Sequence, residues 1–159
     1  MSMVHKAEQD RKFNILIVVV STSRTSESDT SGDVLLKAFR GRGHSVRKVI
    51  CSDDEAQIRE AFESNPGNEI FIFVGGTGPS RKDVTVQSLR KIASKEMIGF
   101  GEMFRKESGQ VFAYLSNSTL LIKDRMQIYC IPGSPDATST SFTLINSIMG
   151  HVYHELNKE

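Results

Sequence analysis

Two runs of this sequence leave little freedom in the choice of fold. Phe13 to Val20 is apolar at all but one position and rich in β-branched residues, and Ile70 to Val74 is apolar throughout. A strand of that kind has no polar face to offer water, so both of its faces must be covered, and helices above and below a parallel sheet do this. The segments between supply the helices. Val34, Leu35, Ala38 and Phe39 recur at helical spacing and stop at Gly41 and Gly43, and Ser45 to Ile50 alternates as a second strand. Ser52 with Glu55 reads as a capping box ahead of a helix carrying Ile58, Ala61 and Phe62. Val84, Leu89 and Ile92 mark another helix, punctuated at Gly99. Val111–Leu115 and Leu120–Ile122 read as short strands in antiparallel pairing, and Met126–Ile131 as a strand ending in Pro132-Gly133. Residues 135–156 form a final helix whose stripe of Phe142, Ile145, Met149 and Val152 docks on its own sheet. The expected fold is α/β: three α/β/α layers around a mostly parallel sheet with one antiparallel strand pair. Residues 1–12, polar and mixed in charge, read as a flexible tail, and 13–159 as a single α/β domain.

Charge and composition remove several classes of function. The net charge is +1, which gives no basic field for a nucleic acid. The longest apolar run is far too short to span a membrane, and no secretory leader is visible, so the expected location is the cytoplasm. Cys51 and Cys130 end apolar runs and read as buried, reduced thiols. His151 and His154 share a helix face, but no third ligand stands near them in the sequence.

Chemistry concentrates in loops after strands. In an open parallel sheet, ligands bind beyond the carboxyl ends of strands where strand order switches, and the loops in that position are 21–32, 75–83 and 132–135. Ile70–Val74 runs directly into Gly75-Gly76-Thr77-Gly78, followed by Arg81-Lys82-Asp83. Glycines let the backbone bend without Cβ clashes and bring N–H groups to bear on one anion. The loop is neither a G-x-x-x-x-G-K-[ST] phosphate loop nor a dinucleotide fingerprint. Asp53, just past the second strand, reads alone as a favourable first-turn charge, and Asp83 reads alone as a helix cap. Beside a glycine cradle, the two acids suggest a Mg2+–phosphate site. Asp29, Ser31 and Gly32 stand at the start of a helix, where amides and hydroxyls can hold a second anion.

The set DTSG at 29–32, GGTGPSRKDVT at 75–85, GFGEMFR at 99–105 and PGSPDA at 132–137 resembles, in order and spacing, the MogA/MoaB family of molybdenum-cofactor biosynthesis proteins, related to the gephyrin G domain. The resemblance runs from Phe13 to Leu156. It implies a molybdopterin adenylyltransferase that uses Mg-ATP to adenylylate the pterin's terminal phosphate. It also implies ATP and molybdopterin as substrates, Asp53 and Asp83 as the catalytic acids, and Mg2+ at Asp83. Substrate contacts are expected from Ser21, Ser23, Asp29, Ser31, Gly32, Gly75, Gly76, Thr77, Gly78, Glu102, Pro132, Gly133 and Ser134. A homo-trimer or hexamer and a partnership with the molybdate-insertion protein are further implications; no nucleic acid or membrane is expected as a partner. Three features depart from the family pattern: Asn117 where an arginine is common, Asp136 where a lysine often follows P-G-x-P, and a short 106–115 segment. They keep open an alternative, a non-catalytic pterin-binding or scaffold protein of the same pathway.

Overall fold

A computed structural model describes residues 3–23 and 29–159. Along the chain it places α1 (Met3–Asp10), β1 (Asn14–Val20), α2 (Thr30–Gly41), β2 (Ser45–Cys51), α3 (Glu55–Glu63), β3 (Ile70–Val74), α4 (Thr85–Arg90), β4 (Lys95–Met97) and α5 (Ile98–Ser108). A turn of 3-10 helix (Val111–Leu115), β5 (Thr119–Lys123), β6 (Met126–Ile131) and α6 (Pro135–Asn157) complete it. The sheet runs β2-β1-β3-β6-β5-β4. β2, β1, β3 and β6 are parallel, and β5 pairs antiparallel with β6 on one side and β4 on the other. The α/β expectation with a mostly parallel sheet holds.

The two-sided apolar runs do what their composition requires. Ile15, Ile17, Val19, Ile70, Ile72 and Val74 face one layer, where Leu35 and Phe39 of α2, Phe100 and Phe104 of α5, and Leu144, Ile145 and Met149 of α6 cover them. Leu16, Val18, Val20, Phe71 and Phe73 face the other, under Ile58 and Phe62 of α3 and Val86 and Leu89 of α4. Each of these aliphatic or aromatic side chains contributes about 1.5–3 kcal/mol by leaving water. The α6 stripe is spent on this core, with Ile145 and Met149 buried and Phe142, Ile148, Val152 and Leu156 packed against them. One polar pair lies within the layer: Tyr129 Oη donates to Gln127 Oε1 (2.5 Å), and Gln127 Nε2 donates to the Met149 carbonyl (2.9 Å). This satisfies groups that would otherwise be costly to bury and ties β6 to α6.

Four local expectations are corrected. Residues Met3–Asp10, read as a tail, form α1 lying along α6. An added Cβ at Gly150 would collide with the Glu8 carbonyl, so the glycine makes room for α1. Beyond α1, the Arg11 guanidinium sits 3.8 Å from the centre of the Tyr153 ring. The cap of α3 is Asp54, which accepts from the Gln57 amide (2.9 Å), and not Ser52. Gly99 lies inside α5 and does not end a helix. Val111–Leu115 is 3-10 helix rather than strand, and β5 takes Lys95–Met97 as its outer partner instead.

Candidate active site

The glycine loop leaves β3 under tight local constraint. Gly75 has φ +104° and Gly76 φ +70°, a region that side-chain-bearing residues rarely occupy. The Gly75 amide still donates to Ile131 O (2.9 Å), extending the β3–β6 ladder by one bond. Thr85, at the start of α4, then pins the loop: its Oγ1 donates to Gly75 O (2.9 Å) and its amide to Gly76 O (3.2 Å). The amides of Gly76, Thr77 and Gly78 donate to no other described residue. Three unpaired N–H groups in succession are the donor set of an anion cradle.

The far side of the cradle is held by the chain before β5. Ser116 Oγ donates to Thr77 Oγ1 (3.0 Å), and the Asn117 amide donates to Thr77 O (2.9 Å). Arg105 of α5 donates through Nη1 to the carbonyls of Ser116 (3.1 Å) and Ser118 (3.3 Å). An added Cβ at Gly101 would collide with the Ser118 carbonyl, so α5 lies directly against this segment. The GFGEMFR stretch thus acts through a glycine and an arginine that hold 116–118 in place, and 116–118 holds Thr77. The Asn117 side chain adds no bond to this set; its Oδ1 is buried with no hydrogen-bond partner.

These loops enclose a cavity of about 460 Å3 beyond the carboxyl ends of β3 and β6. Gly75–Pro79 and Asp83 form one wall, Pro132–Ser134 with Asp136 and Ala137 another, and Phe104, Phe112, Ala113 and Leu115 an apolar side. Asp83 closes the turn after the glycines, accepting from the Ser80 amide through Oδ2 (3.0 Å). That oxygen would lie 2.8 Å from a Cβ on Gly78, so the carboxylate abuts the glycine backbone. Among the described residues, the charged ones lining the cavity are Asp83 and Asp136, with no basic side chain among them.

The chain matches the family model described as "Probable molybdopterin binding domain" over residues 16–151. It belongs to that family. Molybdenum cofactor biosynthesis protein B of Halalkalibacterium halodurans is 31% identical to it across 98% of this chain and 96% of its own. A molybdopterin adenylyltransferase of Pyrococcus furiosus is 30% identical across 93% of this chain and 94% of its own. Among solved structures, a molybdenum cofactor biosynthesis protein B superposes with a TM-score of 0.87 at 30% identity, covering 94% of this chain and 99% of that one.

Within this molybdopterin-binding-domain fold, the expected site residues divide into two groups. Gly75, Gly76, Thr77, Gly78, Asp83, Pro132, Gly133 and Ser134 line the cavity. Ser134 also caps α6, its Oγ accepting from the Ala137 amide (3.3 Å). Ser31 lies behind that wall, donating through Oγ to Gly133 O (2.7 Å). Asp29 is buried, caps α2 by accepting from the Gly32 amide (3.1 Å), and pairs with Lys48 Nζ (2.9 Å). Its carboxylate supports the loop rather than facing the cavity, and Gly32 is packed so closely that a Cβ there would strike that carboxylate. Burial opposes the Lys48 charge, but the hydrogen bonds it donates to Asp33 and Asp29, with their charges, outweigh it and its pKa is raised.

Asp53 lies outside the cavity lining. Its Oδ2 accepts from the Thr22 amide (3.1 Å) and from Thr22 Oγ1 (3.0 Å), joining the exits of β2 and β1. Ser21 and Ser23 begin that exit and also lie off the cavity lining; residues 24–28 of the loop lie outside the described residues. Glu102 is exposed on α5, away from the cavity lining. The lining residues not foreseen as site residues come mostly from α5 and the segment after it: Phe104, Ser108, Gln110, Phe112, Ala113, Leu115 and Ser116. Neither cysteine lines the cavity, and burial pushes the Cys51 thiol up to about 11 and the Cys130 thiol up to about 12. Among the described residues no cluster of three or more His, Cys, Asp or Glu forms a metal site, and no helix is long and apolar enough to cross a membrane.

Proposed function

We propose that this chain is a molybdopterin adenylyltransferase of molybdenum-cofactor biosynthesis. A phosphate oxygen of molybdopterin attacks the α-phosphorus of ATP; a new P–O bond forms, the bond to the β-phosphate bridging oxygen breaks, and pyrophosphate leaves with the electron pair. The observation that carries this reading is the cavity wall of unpaired Gly76, Thr77 and Gly78 amides beside Asp83, in a chain matched nearly end to end by a relative bearing that name. The same relative weighs against the non-catalytic alternative.

The residues divide the work by position. The three amides hold phosphate oxygens, and their geometry is set before ligand arrives by the Thr85 and Ser116 bonds. A transfer of this kind needs little covalent help from the protein, and fixed donors plus correct placement supply most of the acceleration. Asp83 orients the attacking phosphate and would hold Mg2+. A carboxylate beside three phosphate-holding amides, with no basic side chain among the described lining residues, fits a divalent cation. When bound, Mg2+ neutralises phosphate charge as it shifts toward the leaving pyrophosphate. Asp53 keeps the entry of loop 21–32 on the β2 exit, so its contribution is to position that loop. A homo-trimer or hexamer and a molybdate-insertion partner belong to the same reading. In the test, purified protein given Mg-ATP should release pyrophosphate only when molybdopterin is present. Pyrophosphate release that ignores the pterin, or none at all, overturns the proposal.

A further inference from the structure

The cavity lining carries two kinds of polar group. On the β3 side stand the unpaired amides of Gly76, Thr77 and Gly78, a donor surface for phosphate. On the α6 side, Asp136 in the first turn of α6 and Gln110 just after α5 present acceptors. Gln110 Nε2 donates to Asp136 Oδ2 (3.0 Å), which leaves Asp136 Oδ1 and Gln110 Oε1 without donors among the described residues. A helix start ordinarily favours an anion, but a carboxylate already placed there cancels that preference. Phosphate is therefore favoured at the glycine amides, and the carboxylate of Asp136 suits a group that brings N–H donors. Phe104, Phe112, Ala113 and Leu115 form an apolar wall, suited to the face of a flat ring.

Resting on the adenylyltransferase reading, we propose that Asp136, oriented by Gln110, is the specificity-determining residue that receives the aminopyrimidinone edge of the pterin. That edge carries a ring N–H beside an exocyclic amino group, two adjacent donors that match the two oxygens of a carboxylate. Adenine offers an amino donor beside a ring-nitrogen acceptor, and the acceptor would face a carboxylate oxygen unfavourably. Asp136 thus admits the pterin and turns the adenine ring away from the same place, so the two substrates approach with their phosphates meeting at the glycine loop.

The test compares wild-type protein with Asp136→Asn and Gln110→Ala in titrations with neopterin monophosphate and, separately, with Mg-ATP. Asparagine keeps the size and one acceptor but replaces the second by a donor. A charge-assisted hydrogen bond is worth roughly tenfold or more in affinity, so Asp136→Asn should bind the phosphorylated pterin about tenfold more weakly. Gln110→Ala should weaken it by a smaller factor, and both should hold Mg-ATP within about twofold of wild type. Asp136 is exposed, and the unchanged ATP titration also reports that each variant is folded. Equal pterin affinity in wild type and Asp136→Asn, no wild-type affinity for the pterin, or an equal loss of both ligands overturns the inference. Adenylylation of molybdopterin by wild-type protein, followed in parallel, decides the enzyme reading separately.

Discussion

At Gly76 the reason for a glycine lies inside the protein. A close-approaching phosphate accounts for such a residue from sequence alone, yet the first atom an added Cβ would meet is Thr85 Oγ1. That hydroxyl is also the one that ties Gly75 O, so a larger residue would disturb the bond that shapes the cradle. The backbone at φ +70° adds strain of about 1–3 kcal/mol for a non-glycine residue. Gly76→Val should lower the urea-unfolding free energy by about that amount while the circular dichroism stays native. It should bind Mg-ATP at least about tenfold more weakly, since the three amides lose their common aim. Near-wild-type binding in a folded variant would mean the loop does not hold the ligand. Aspartates show the same dependence on surroundings. Asp29 is buried against Lys48 and serves α2, Asp53 serves the β1 exit, and only Asp83 of these three lines the cavity. No difference in the side chain distinguishes them; the partner atoms do.

Between elements, the junction of β1 with the α2–β2 turn carries a titrating contact. The Phe13 amide donates to His44 Nδ1 (3.1 Å), which requires that nitrogen to be unprotonated. Burial, with Lys12 and Arg42 adding to it, holds the His44 pKa below its ordinary value of 6.5. A histidine with a depressed folded-state pKa contributes stability that is present above pH 6.5 and is lost as pH falls from there through the folded pKa. Acidification from pH 7.5 to 5 should therefore lower the urea midpoint of wild type more than that of His44→Gln, which cannot titrate. Parallel pH profiles for the two proteins would contradict the assignment. Much at this scale was legible beforehand. β1 and β3 are apolar on both faces because both faces are covered, and the glycine and Pro-Gly-Ser loops announce the ends of β3 and β6 by composition. The segment Val111–Leu115 was not legible, because its apolar and aromatic residues mimic a strand while the fold leaves Val111 82% and Phe112 79% exposed. β4 is three residues long, too short for periodicity to register. α1 depends on the space left by Gly150, a contact nearly the whole chain away in sequence, so local pattern carries no sign of it.

For the molecule as a whole, the exposed apolar residues Val111, Phe112, Tyr114 and Leu115 border the cavity, while the α6 stripe is consumed by its own core. The assembly proposed above would cover that border and so place part of each cavity near a neighbour. Light scattering coupled to size exclusion should give three or six times the 17.7 kDa chain mass; a clean monomer at micromolar concentration would contradict the assembly. In the function proposed above, phosphate sits at the Gly76–Gly78 amides beside Asp83. The most direct measurement is mass spectrometry of the pterin after incubation of purified protein with molybdopterin and Mg-ATP. Wild type should convert it to the adenylylated form with one pyrophosphate per product, and Asp83→Ala, still folded, should convert it at least about a hundredfold more slowly. No adenylylated pterin with the wild type, or undiminished product with Asp83→Ala, would contradict the account.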